Sequence, residues 1–221
     1  MFTYQWNRNG TPLAGFTDST YSLGTLDEGA TFTCLVTATN AAGRAIATSD
    51  AVTVAIPHVA GCPPATGAMT GTTIGQIRLG MTRAQARSVY RRHSDRGEQY
   101  EDFFCLTPIG VRVGYASPVL LRTLPEGRRA GLEQRVVWAS TADPYYSLDG
   151  IHAGQSIETA SSTLGTGRPF HIGQNYWYLA RRANYTAVLK VRGQVVEELG
   201  IADNALTHNR KTQDVLLHSF Y

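Results

Sequence analysis

The sequence predicts a mixed fold: an all-β part over residues 1–56, a linker over 57–72, and an α+β tandem repeat, a helix packed on antiparallel sheet twice, over 73–147 and 148–221. Three observations lead there. Phe32, Cys34, Val36 and Ala38 alternate along FTCLVTATN, the two-residue period of a half-buried strand. IPHVAGCPPATGAMTGTT supplies Pro, Gly and Thr with no period, as a connecting segment does. Finally, IRLGMTRAQA, which begins at Ile77, returns 74 residues later as IHAGQSIETA from Ile151, in the pattern I-x-x-G-x-[ST]-x-x-x-A.

Within residues 1–56 the elements read in order as the strand TYQW, the turn NRNGTPLAG, the strand STYSLG, the strand ATFTCLVTATN, the turn AAGR and the strand segment AIATSDAVTVAI. These stretches resemble the immunoglobulin-like repeats of bacterial surface and secreted proteins. The resemblance places Trp6 as the core tryptophan of strand C and Cys34 as the strand F cysteine. Phe32 stands two residues before that cysteine, where the family often has a corner tyrosine, so the corner hydrogen bond is lost while the packing is kept. The resemblance also implies an incomplete domain, strands C to G without A and B, cut from a longer secreted or surface protein. Its open sheet edge would be available for homodimer pairing.

In the second part, Thr82 and Ser156 occupy equivalent helix N-caps, where a hydroxyl accepts from an otherwise unpaired amide. The helices continue through Ala86, Val89 and Tyr90, and through Ile157, Ala160 and Leu164. Strand segments follow each helix: DFFCL, IGVRVGYA and QRVVWAS in the first copy, NYWYLA, TAVLKV and QVVEELG in the second. A helix followed by a small antiparallel sheet, present twice, resembles the BamE-type small-lipoprotein fold and its tandem form in beta-lactamase inhibitor protein. That fold hosts unrelated tasks and implies no activity by itself.

Net charge is +3, with −2 over residues 1–56 and +5 beyond, too mild for a nucleic-acid-binding domain. Lys190 and Lys211 are the only lysines among 20 basic residues, a coding bias that fits a GC-rich bacterial source. No run approaches the roughly 18 apolar residues of a membrane-spanning helix. Motifs of nucleophile elbows, zinc proteases, phosphate loops and dinucleotide sites are absent, and no cofactor is implied. Cys34, Cys62 and Cys105 have no zinc-site spacing, so a thiolate metal site is not expected. Cys62 and Cys105 read either as a disulfide closing a loop worth about 3 to 4 kcal/mol or as two independent thiols. The six histidines show no ligand spacing.

Three groups of residues carry candidate functions. Arg83, Arg87 and Arg91 fall four residues apart, a basic stripe that reads as a polyanion site or as a solvated helix face balanced by Glu98, Glu101 and Asp102. Six large rings, Trp138, Tyr145, Tyr146, Tyr176, Trp177 and Tyr178, read as ligand-binding; strand alternation puts Tyr176 and Tyr178 opposite Trp177, so they cannot all be core. Otherwise the rings fill the interface between repeats. Asp143, Asp203 and Glu198, with His171, are the candidate catalytic groups of a glycosidase or esterase, since glycoside hydrolysis needs only two suitably spaced carboxylates. The preferred expectation is an extracellular binding module for a protein or carbohydrate, with a novel hydrolase as the alternative.

Overall fold

The computed structural model describes residues 1–24, 27, 29–55, 67, 69–90, 93–94 (backbone only), 99–105 and 110–220. Most of the linker, Cys62, Arg91 and Glu98 lie outside the described residues. The chain divides into two compact units, Met1–Pro57 and His58–Tyr221.

The first unit is one antiparallel sheet. Strands β1 (Phe2–Arg8) and β2 (Thr11–Pro12) form a hairpin through Asn9 and Gly10, whose φ angles of 50° and 79° are those of a two-residue primed turn. β1 also pairs with β3 (Thr31–Asn40), which pairs in turn with β4 (Gly43–Thr48) and β5 (Val52–Thr53). The register sets Trp6 opposite Cys34 and Tyr4 opposite Val36, so the predicted alternation does form one face. Residues 19–24, read from the sequence as a strand, are not one. Tyr21 instead folds over the apolar face, stacking on Phe32 at 5.2 Å with Trp6 at 5.9 Å and Phe16 edge-on at 5.1 Å. A strand would hold this ring in a sheet of its own, whereas the loop lets it plug the existing one. Tyr21 Oη donates to the buried Asp27 carboxylate at 3.1 Å, which also lies 3.4 Å from Arg8 Nε. The hydroxyl missing at Phe32 is thus supplied by the ring stacked on it.

The second unit opens with a small sheet of β6 (Met69–Thr70), β7 (Thr73–Ile74) and β8 (Ile77–Arg78). Helix α1 (Arg83–Val89) follows, then β9 (His93–Ser94), β10 (Glu101–Phe104), β11 (Val111–Tyr115), the short helices α2 (Pro118–Leu121) and α3 (Glu126–Arg129), and β12 (Val136–Thr141). Helix α4 (Ile157–Leu164) precedes β13 (Phe170–Ile172), β14 (Asn175–Arg181), β15 (Thr186–Arg192) and β16 (Val195–Ala202), and α5 (Arg210–Ser219) comes last. The strands build one antiparallel sheet in the order β13-β14-β15-β16-β12-β11-β10-β9, so the α+β class holds for this unit. Each of the six strand segments expected from the sequence is present.

Both helices start as the hydroxyl pattern predicts. Thr82 caps α1 in a reciprocal box with Gln85, and Ser156 Oγ accepts from Thr159 N at 3.2 Å. Ahead of each cap the chain docks on a sheet strand through the same pair of bonds. Gly80 N donates to Val136 O and Val136 N to Met81 O, both at 2.8 Å; Gly154 N donates to Val196 O at 2.8 Å and Val196 N to Gln155 O at 2.9 Å. Gly80 and Gly154 sit at φ of 85° and 93°, so the glycine of the motif meets a conformational need, and a Cβ at either would touch nothing.

The main core lies on one face of the large sheet, where α2 and α5 bury Leu120, Leu121, Leu216, Leu217 and Phe220 against Trp138, Trp177, Val188 and Ala202. Phe220 stacks on Trp138 at 5.1 Å with only 4° between the rings. A Cβ at Gly114 would run into that Phe220 ring, so the glycine makes the space the stack occupies. Gly114→Ala is therefore expected to cost about 2 to 3 kcal/mol. In Phe220→Ala the same change should cost under about 1 kcal/mol, a coupling that a double-mutant cycle in urea measures. On the opposite face α1 buries Ala86 and stacks Tyr90 on Phe104 at 5.2 Å.

Candidate functional site

Of the basic stripe, Arg83 and Arg87 on α1 both bond to one internal acid, while Arg91 lies outside the described residues. Asp102 on β10 is fully buried and takes both guanidinium groups: Arg83 Nε and Nη2 donate at 3.1 and 2.8 Å, Arg87 Nε and Nη2 at 2.9 and 2.6 Å. Tyr115 Oη adds a fifth bond at 2.8 Å, and its ring lies 5.0 Å below the Arg83 guanidinium. Burial alone would raise the Asp102 pKa, but the bonds from Arg87, Arg83 and Tyr115 outweigh it and hold the carboxyl at about 2. Burial and the adjacent Asp102 charge push the Tyr115 phenol up in turn. These half-buried arginines neutralise an internal acid, which occupies their guanidinium forks.

Of the candidate acids, Glu198 lies in a second ionic cluster on the core face of the sheet. Its Oε1 accepts from Lys190 Nζ at 2.8 Å and its Oε2 from Ser140 Oγ at 2.9 Å, while Arg112, bonded to Glu101 at 3.0 Å, stands 3.8 Å away. A carboxylate so held is a charge anchor. Asp203 accepts from Ala205 N at 2.8 Å and caps the short turn Asn204–Leu206. Asp143 is buried, with Oδ1 accepting from Tyr145 N at 2.9 Å and Oδ2 without a hydrogen-bond partner. Burial raises its pKa, against the Tyr145 amide, which lowers it. His171 is exposed on β13 and stacks on Tyr176 at 4.6 Å. No described hydrogen bond or ion pair joins any two of these four residues.

The six rings divide by burial. Trp138, Tyr146 and Trp177 are at most 2% exposed and belong to the interior, because α2 and α5 cover the face that Trp138 and Trp177 share. Tyr145 and Tyr178 are half-buried. Tyr176 is 45% exposed and, with His171 beneath it and Tyr178 two residues along the same face, forms a small aromatic platform beside the sheet edge.

Two concavities of the second unit are lined, Glu101 apart, by residues the sequence does not single out. One, of about 720 Å³, is bounded by Tyr100, Glu101, Val119, Val215, His218 and Phe220. The other, of about 320 Å³, brings Arg128, Arg181, Asn204 and His208 together over Leu124 and Ala205. Residues so far apart carry no spacing signal; only the folded sheet and its helices assemble them. No catalytic candidate lines either space. Among the described residues no cluster of three or more His, Cys, Asp or Glu side chains could hold a metal ion, and no helix is long and apolar enough to cross a membrane. Cys34 is buried and free; Cys105 is buried and disulfide-bonded, and the proposed mate Cys62 is outside the described residues.

Among solved structures the chain is similar to a DUF4309 family protein (YjgB) from Bacillus subtilis subsp. subtilis str. 168, with 13% identity, a TM-score of 0.42, and coverage of 65% of this chain and 88% of that one. It is also similar to an extracellular protein containing an SCP domain from Bacillus anthracis str. Ames, with 12% identity, a TM-score of 0.38, and coverage of 60% of this chain and 46% of that one. Likeness at this level assigns neither a fold family nor an activity. No protein-family model matches the chain, and no curated protein matches it.

Proposed function

We propose that the second unit is an extracellular binding module of a bacterial secreted or surface protein, recognising a protein or glycan through the Tyr176 platform. The observation that carries this reading is the exposed Tyr176 ring, braced from below by His171. A rigid ring with a polar tip offers apolar area at little entropic cost. Glu198 and Asp203, by contrast, are tied up in ion pairing and capping. The disulfide at Cys105 supports an oxidising compartment. The matching docking bonds at Gly80 and Gly154, the two capped helices, and the four strands contributed after each helix support reading the unit as a tandem duplication.

A hydrolase is the second reading, and one observation favours it: a buried carboxyl with an unpartnered oxygen and a raised pKa, Asp143, has the character of a general acid. The two readings separate in one experiment. Purified chain is applied to an array of bacterial and host oligosaccharides and to chromogenic glycosides and esters. We expect array binding that weakens about tenfold in Tyr176→Ala, with unchanged thermal unfolding, as the loss of one stacked ring contact of about 1.4 kcal/mol gives. Turnover of a chromogenic substrate that disappears in Asp143→Asn would replace the binding reading with the catalytic one.

A further inference from the structure

The 320 Å³ concavity of the second unit has the chemistry of an anion site. Its three ionisable side chains, Arg128, Arg181 and His208, are all cationic or able to become so, and no acid lines it. They come from three places in the chain: helix α3, the last residue of β14, and the segment between β16 and α5. Neither Arg128 nor Arg181 has an acidic partner among the described residues, whereas Arg83, Arg87, Arg112, Arg182 and Arg192 each have one. Glu126 and Asp203, close by in sequence, do not reach the space; Asp203 turns an oxygen to the Ala205 amide.

Asn204 fixes the site in advance. Its Nδ2 donates to the carbonyls of Arg182 at 2.8 Å and Ala183 at 3.0 Å, and its Oδ1 accepts from Thr186 Oγ1 at 2.7 Å. The turn that follows Arg181 is thereby joined to the segment that carries His208. Arg181 Nη1 in turn donates to the Asn204 carbonyl at 3.3 Å, which orients the guanidinium and leaves its other N–H groups free to donate. His208 Nδ1 lies 2.7 Å from Ala205 O; a carbonyl only accepts, so Nδ1 carries the proton and Nε2 is the nitrogen left over. Protonation of Nε2 adds one more donor and one more positive charge.

We infer that Arg128, Arg181 and His208 form a binding site for a sulfate or phosphate group, free or esterified to a saccharide, with Asn204 as the residue that positions the donors. Guanidinium forks match tetrahedral oxyanions, and a partly enclosed, acid-free space strengthens the pairing. The site is separate from the Tyr176 platform, and either can fail without the other.

The test is an amide NMR titration of the full chain at constant ionic strength with inorganic sulfate, inorganic phosphate and a sulfated disaccharide, chloride serving as the balancing ion. Saturable shifts are expected at Arg128, Arg181 and residues 204–208, with at least a tenfold weaker Kd in Arg128→Ala/Arg181→Ala. Tighter binding of the disaccharide than of inorganic sulfate would assign the anion to an ester, and the reverse order to the free ion. The exposed arginines make few other contacts, so unfolding of the double variant should match the parent; Tyr176→Ala should bind the anions unchanged. Shifts that stay linear for all three probes, or equal affinity in the double variant, would overturn the site.

Discussion

Gly200→Ala is expected to be the most damaging small substitution in the chain, costing about 3 kcal/mol or more, an extreme of overpacking. A Cβ at Gly200 would lie 2.5 Å from Ala139 O, 2.9 Å from Ser140 Cβ and 3.1 Å from Ser140 Cα. Two of those atoms are backbone and cannot rotate away. Gly200 pairs with Ser140 across the β12–β16 contact, where the strands contributed after α1 meet those contributed after α4. Parting the two strands there strains the bonds to Thr141 and Ala139 on either side and moves the core tryptophan, Trp138, two residues along. Urea unfolding followed by tryptophan fluorescence checks the result. A cost below about 1 kcal/mol would mean that the strands separate freely and that the glycine is incidental. Gly193, in an open turn, lies where an added Cβ touches nothing, but its φ of 56° makes alanine there a measure of backbone strain alone. Gly200 is outside that left-handed region, so its cost is steric, and the two variants set a backbone clash against backbone strain.

Asp102→Ala is expected to cost about 3 to 5 kcal/mol, because it strands two guanidinium groups and a buried phenol that share one acceptor. The same carboxylate sets a pH dependence whose sign follows from its pKa. Held at about 2 from an ordinary value of 3.8, it favours the folded state whenever it is ionised. Its contribution, about 2 kcal/mol, is complete above pH 4 and disappears as pH falls from about 4 to 2. Acid titration of the unfolding free energy should therefore show a slope in that window for the parent chain and a smaller one for Asp102→Ala. An unchanged slope would remove Asp102 as the acid-sensitive group.

Much of the framework is legible because short-range chemistry specifies it. The I-x-x-G-x-[ST] pattern marks both helix starts since a positive-φ glycine and a capping hydroxyl are local requirements, met at Gly80 and Thr82 and again at Gly154 and Ser156. The β-branched runs mark the sheet for the same reason. What sequence cannot supply is the covering of a face. Alternation assigns Trp177 and Tyr176 to opposite sides of β14, but which side is sealed depends on α2, only four residues long, and on α5 more than thirty residues downstream. The arginine stripe has the same ambiguity: four-residue spacing fixes a common helix face, and only the position of Asp102 on β10 turns that face inward. In the first unit Ser19–Gly24 has strand-like residues, yet Tyr21 stacks on Phe32 and the segment pairs in no ladder.

The arrangement of the large sheet also bears on how the protein avoids its own kind. Strand ends of an open sheet invite foreign strands, and the invitation grows with the length of the exposed ladder. Here the seven- and eight-residue strands β14, β15 and β16 lie within the sheet, while the outermost described strands, β9 and β13, are two and three residues long. A visiting chain would find too few free amides in line to nucleate on. The sheet thus ends in tapered rims that resist fibril-like growth.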